Sequence, residues 1–335
     1  MATLGASFLD LIDVYKRSED AASLAVATII ELLSETNGII DDAMAMECNN
    51  GTKHRTTTRT GLPSVTWGQL YQGIPQSKST TQQVDDATGF VEALSSIDKR
   101  LLDLSDNEGA VRLSEATAFL EALAQEAAAT IIYGNQATDP EKFTGLAPRF
   151  NSLSAGTGGQ IVDAGGTGSD NTSIWFVTWA DSACHLLYPR GTQAGIQRDD
   201  KGEQRVTDGS SNAYFVMEEL FRWHLGLTVR DWRQVARVAN IDVSNLQAGT
   251  VDIYKFMRQG FWKLKKHRVT GGRIAIYCNS DVLEALDADS TPTTSTSASF
   301  VRLRPEEVDG REVMTYRGFP VRQVDAILNT EAQIT

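Results

Sequence analysis

The chain has 335 residues, 41% of them hydrophobic, and a formal net charge of -12. That length allows about two domain-sized units, and the acid excess excludes a dedicated nucleic-acid binder, whose affinity comes from Lys and Arg against phosphates. No apolar run approaches the ~18 residues of a membrane span, and the first residues lack the basic start of a secretory signal, so a soluble cytoplasmic product is expected.

Residues 1–48 carry nine acids against two bases, Lys16 and Arg17, which makes them an acidic arm. Within it the Ala-rich spacing of Ala21 to Leu33, closed by Asn37-Gly38, predicts a helix. Asn50-Gly51 marks a turn into a segment of the opposite character. From Asn50 to Val84 there are four bases (Lys53, Arg55, Arg59, Lys78) and His54 but no acid. Gly51 to Thr60 is Thr-rich and β-prone yet has no apolar face. With a second extended piece at Ser64 to Tyr71, it predicts a long projecting hairpin that needs a partner surface.

Ser114 is the expected N-cap of the strongest helix, which runs to Tyr133 with Phe119, Leu120, Leu123, Ala127 and Ile131 on one stripe and Gly134 as its C-cap. It would be about 30 Å long. The glycine-rich run from Ala155 to Ser173 is expected to be a flexible domain crossing. Beyond it, Ile174 to Trp179 and Arg273 to Cys278 predict buried strands, Val251 to Lys266 an amphipathic helix, and Asp281 onward another. Ser290 to Ser299 is low in complexity, and Val313 to Val324 predicts two strands joined at Arg317-Gly318.

Little of this looks like catalytic chemistry. Cys48, Cys184 and Cys278 are far apart and are expected to be buried, reduced thiols. Cys184-His185 would point to opposite faces of a strand, which leaves a buried thiol beside a partly exposed imidazole. The acid doublets Asp41-Asp42, Asp85-Asp86, Asp199-Asp200 and Glu218-Glu219 are expected to be solvated charges, not metal ligands or acid/base dyads. Lys255 to Arg268 form a basic cluster on and after the Val251 to Lys266 helix, read as lysines that solvate the face opposite Phe256, Met257, Phe261 and Leu264. Arg230, Arg233 and Arg237 are expected in ion pairs within or between subunits. No catalytic, metal or cofactor site is expected.

Several blocks, taken together, are specific. They are His54-Arg-Thr-Thr-Thr-Arg-Thr-Gly-Leu-Pro-Ser-Val-Thr-Trp67, Tyr71-Gln-Gly73, Gln76 to Ser79, Pro140 to Leu146, Gly226 to Trp232 with Asn240-Ile-Asp242, Tyr277-Cys-Asn279, and Tyr316 to Arg322 with Val324-Asp-Ala326. With the order acidic arm, basic hairpin, long helix, inserted α/β unit and return strand, the chain resembles the tailed-bacteriophage major capsid proteins of the Hong Kong 97 fold, those of epsilon-fifteen-type short-tailed phages most closely.

The resemblance implies an α+β fold. Its parts are an N-terminal arm at 1–48, an extended β-hairpin loop at 49–85, a peripheral domain at 86–160 and 305–335 with its spine helix at 114–134, and an inserted axial α/β domain at 161–304. It implies a non-enzymatic shell protein that forms hexamers and pentamers of an icosahedral head around double-stranded DNA. An encapsulin-like bacterial compartment is the alternative. Partners would be further copies of itself, scaffolding, portal and decoration or stapling proteins, and packaged DNA by weak non-specific contact, with no membrane. The place would be the virion capsid, assembled in the host cytoplasm. Lys53, His54, Arg55, Arg59, Trp67 and Tyr71 are the expected intersubunit contacts. Some relatives lock their shells with lysine-asparagine bonds. Lys53 and Lys78 are candidates by position, but without a defined motif no crosslink is expected.

Overall fold

The computed structural model describes residues 18–20, 23–26, 35–105, 107–265, 272–290, 303–308 and 311–335. Strands β1 (Ser18–Asp20) and β2 (Ser23–Val26) pair antiparallel with each other. Ser23–Val26 is therefore extended where a helix was expected, since its backbone bonds go to β1, and the remainder of that expected helix lies outside the described residues. Helix α1 (Gly38–Asp42) and strand β3 (Ala45–Glu47) lead into β4 (Lys53–Gly61) and the 19-residue β5 (Thr80–Asp98). After these come α2 (Lys99–Leu104) and α3 (Glu108–Tyr133).

The second half holds β6 (Ile161–Asp163), β7 (Asn171–Trp179), β8 (Cys184–Tyr188), β9 (Ile196–Thr207), β10 (Ala213–Val229) and β11 (Val235–Asp242). Next are α4 (Val243–Gln247), α5 (Ile253–Lys265), β12 (Arg273–Cys278) and α6 (Ser280–Ser290). The chain closes with β13 (Arg304–Val308), β14 (Arg311–Tyr316) and β15 (Phe319–Gln323).

Among the described residues one 13-stranded mixed sheet runs β13-β14-β15-β12-β7-β8-β10-β5-β4, with β3, β6, β9 and β11 attached beside that path. Its centre is buried on both faces because successive side chains of a strand point opposite ways. Trp175, Val177 and Trp179 of β7 pack with Ala127, Ala128, Ile131 and Ile132 of α3. Ile174 and Phe176 of the same strand pack with Met257, Phe261 and Leu264 of α5 and with Val282 and Leu286 of α6. That two-sided burial explains the unbroken apolar character that made β7 and β12 readable.

Helix α3 begins six residues before the expected Ser114. The side chain of Asn107 accepts from the Ala110 N–H at 3.1 Å, and Glu108 adds a carboxylate to the first turn. A better cap thus lies upstream, and the helix is about 39 Å long at 1.5 Å per residue. Gly134 caps its C-terminus as expected, its N–H donating to Thr130 O at 2.9 Å.

The Ala155–Ser173 run is packed, contrary to the expected flexible crossing. β6 pairs parallel with β11, and the Gly166 N–H donates to Asn240 O at 2.8 Å. A Cβ on Gly166 would lie 2.5 Å from that same oxygen, so this glycine serves close approach. Beyond Ser290 the low-complexity stretch lies outside the described residues, as do Lys266, His267 and Arg268.

Candidate assembly surface

β4 pairs antiparallel with β5 from Lys53↔Ala87 to Gly61↔Thr80, after which β5 continues alone into the body and pairs with β10 from Thr88 to Asp98. The return strand of the hairpin is therefore Thr80 to Ala87. The expected second arm, Ser64 to Tyr71, belongs instead to an 18-residue connection, 62–79, in which no residue is in a strand. Its prolines, Pro63 and Pro75, have no N–H to give a ladder.

That connection is the most exposed apolar feature of the described residues. Leu62, Val65, Trp67, Leu70, Tyr71 and Ile74 are each between 81% and 108% exposed. It is shaped locally by the Ser77 hydroxyl donating to Ser64 O at 2.8 Å and by a turn from Gln72 N to Gln69 O at 3.2 Å. Tyr71 takes a left-handed φ of 68° there, which is uncommon without a glycine. A grouped, exposed apolar patch of this kind marks an interaction surface.

The expected contact residues divide between tip and root. Trp67 and Tyr71 stand on the tip, and Lys53 and Arg59 are exposed along β4. Arg55 faces Asp85 across the ladder, its Nε and Nη2 each donating at 2.7 Å, and the guanidinium holds the Asp85 carboxyl below its usual range. The Asn49 side chain brackets the Arg55 backbone with two bonds of 2.8 Å. Arg55 is thus engaged inside its own hairpin.

His54 is buried at the root. Its ring meets that of His185 edge-on at 5.5 Å, and His185 is fully buried, not partly exposed as its sequence context had implied. Strand β8 is paired with β3 and β10 along its edges; Cys184 and Leu186 face the core beneath α3, and on the opposite face the His185 ring meets His54. Burial pushes His185 down to about 4, and burial followed by the Arg230 charge lowers His54. Beside them Asp86 accepts from Arg149 Nη2 at 2.8 Å and from the Thr228 hydroxyl at 2.5 Å.

Asp86 corrects a sequence expectation that also fails at Asp42 and Glu219. In each of these doublets the second acid is buried and paired. Asp42 meets Arg273 Nη2 at 2.7 Å and the Tyr277 hydroxyl at 3.2 Å, while Glu219 meets Arg198 Nη2 at 2.7 Å and also Arg112. An arginine elsewhere in the chain supplied the missing partner, which spacing within the doublet does not reveal. Arg230, Arg233 and Arg237 form pairs within the subunit, to Asp181, Asp231 and Glu331.

All three cysteines are buried and free. Burial pushes Cys184 and Cys278 up to about 12 and Cys48 to about 11, so each stays a protonated thiol near neutral pH and is a poor nucleophile. Among the described residues no three His, Cys, Asp or Glu side chains converge on a metal position, and no helix is long and apolar enough to cross a membrane.

A family model described as major capsid protein GP7 matches residues 21–335. A chain of the near-atomic structure of bacteriophage Epsilon15 is 34% identical, covers 100% of both chains and superposes with a TM-score of 0.75. A capsid chain of a native GTA particle is 12% identical over 71% of this chain and 97% of its own, with a TM-score of 0.44. The SrpI encapsulin of Synechococcus elongatus is 11% identical over 70% of this chain and 96% of its own, with a TM-score of 0.46. No curated protein matches.

Proposed function

Since the chain belongs to the GP7 family of major capsid proteins, we propose that it closes the hexamers and pentamers of a bacteriophage head by laying the 49–85 hairpin of each subunit over its neighbour. The observation that carries this is the tip: six large apolar side chains with no cover in their own subunit, on an arm free of acids from Asn50 to Val84. Burying even part of that area is worth roughly 25 cal/mol per Å², repeated at every contact of a ring.

In this reading Trp67 and Tyr71 supply apolar anchorage, and Lys53, Arg59 and Lys78 supply orientation toward acidic neighbours. Exposed charge pairs are worth only about 0 to 1 kcal/mol each and act mainly on register and encounter. His54 and Arg55 hold the root of the arm in place. The remaining roles belong to the same proposal: a peripheral part at 86–160 with 305–335 and an axial part at 161–304, contacts with scaffolding, portal and decoration proteins, weak contact with packaged duplex, assembly in the host cytoplasm, and no catalytic step or self-made crosslink.

Electron microscopy and sedimentation of purified assemblies test the clasp. Trp67→Ala with Tyr71→Ala is expected to abolish or strongly reduce closed particles while leaving the subunit folded. Arg59→Glu with Lys78→Glu is expected to slow assembly and change its salt dependence. Normal particles from both variants would refute the clasp.

A further inference from the structure

A groove lies on the body where β5 passes α3, with Val91, Ala127, Phe143 and Leu225 as its apolar floor and Phe90 as an exposed lip. Three carboxylates, Glu92, Glu126 and Glu141, and one lysine, Lys142, stand around it; Glu126 pairs with Lys142 at 2.7 Å and Glu92 with Arg222, which leaves the rim net acidic. Its volume is about 230 Å³. An apolar cavity of about 150 Å³ already holds a benzene ring, so the groove accepts one large aromatic side chain.

We propose that this groove receives Trp67 from a second copy of the chain. The inference rests on the clasp reading and adds the surface that the clasp grips. Two features select the occupant. The indole has an apolar body for the floor and a single N–H that only donates, and on the rim the acceptors Glu92, Glu126 and Glu141 outnumber the one donor cation, Lys142. The segment bearing Trp67 has no acid for over thirty residues and brings Arg59 and Lys78 toward that net-acidic rim, whereas the N-terminal arm, with nine acids against two bases, matches its sign.

The chain's own loop does not line the groove. β5 is continuous from Thr80 to the groove residues at Gly89 and Phe90, so at about 3.3 Å per residue it carries the base of the loop roughly 30 Å away. The loop's six large apolar side chains are accordingly 81% to 108% exposed, Trp67 101%.

Engineered thiols test this, since the native cysteines are buried. In assembled particles Trp67→Cys is expected to lose the reactivity toward a thiol reagent that it shows in unassembled subunits. Paired with Phe90→Cys and treated with a short thiol crosslinker, it is expected to give a covalent ladder on a denaturing gel. Paired with Phe215→Cys, an exposed position elsewhere on β10, it is expected to remain monomeric. Protection without a ladder through Phe90→Cys overturns the groove and leaves the clasp standing. A thiol that stays reactive in particles overturns both. If Trp67→Cys does not assemble, Leu70→Cys carries the same readouts.

Discussion

Glu331 shows how a single residue decides local stability in this chain. It accepts from Arg237 Nη2 at 2.9 Å, from the Tyr133 hydroxyl at 2.6 Å and from the Ser173 hydroxyl, and both members of its ion pair are buried. Glu331→Leu strands a buried guanidinium and is expected to cost about 3–5 kcal/mol, whereas Arg237→Met combined with Glu331→Leu should recover much of the loss. Chemical denaturation of unassembled subunits measures both. The histidine pair gives a second expectation. His185 and His54 titrate below their ordinary value in the folded subunit, so between about pH 6.5 and about pH 4 the unfolded chain binds more protons. The sign follows: this stability is fully present above about pH 6.5 and is lost as pH falls through that window. Arg230 opposes protonation, and Asp86 and Asp181 favour it. His185→Phe should flatten the acid side of the stability profile. None of these partnerships was legible in the sequence. Glu331 lies 94 residues from Arg237 and 198 from Tyr133, and burial of the second acid in a doublet is decided by which distant arginine the fold brings alongside.

Buried apolar surface made some elements legible and not others: β7 and β12 were read, whereas β11, buried along nearly its whole length, and β10 were not. β12 was read with its exact bounds because Ile274, Ile276 and Cys278 face one core while Ala275 and Tyr277 face the other. The polar strand β9, Ile-Gln-Arg-Asp-Asp-Lys-Gly-Glu-Gln-Arg-Val-Thr, has no such stripe and exists through its ladder with β10. A ladder of backbone bonds leaves no mark on side-chain periodicity, so β9 was not anticipated. The same holds for the Thr80–Ala87 half of β5, which is polar apart from Val84 and Ala87. Helix α3 was recognised by its apolar stripe, but its start was misplaced because two candidate caps, Asn107 and Ser114, precede apolar residues. Asn107→Ala is expected to destabilise the subunit by about 1 kcal/mol through its lost bond to Ala110 N–H. Ser114→Ala should cost less, which the same denaturation midpoint would register.

Over the whole molecule, one sheet serves two helix layers and also sends out the arm. The hairpin strand β4, the long helix α3 and the closing strands β14 and β15 were readable because they rest on charge blocks and long periodic segments. The receiving surface for the arm was not readable, because β5, α3 and residues 141–143 converge on it from separate stretches of sequence. One unbroken strand, β5, runs from arm into body, while the other end of the hairpin returns through residues 48–52 to β3. β5 changes partner from β4 to β10 between Ala87 and Thr88 without a break, and its inner half is bonded to β10 through Asp98. Tension on the tip therefore runs along the strand and loads the rungs to β10 together in shear, instead of peeling them one at a time. The arm acts as a tie-rod anchored deep in the sheet, and a swelling shell would pull on whole subunits before it could pull the arm loose from its own.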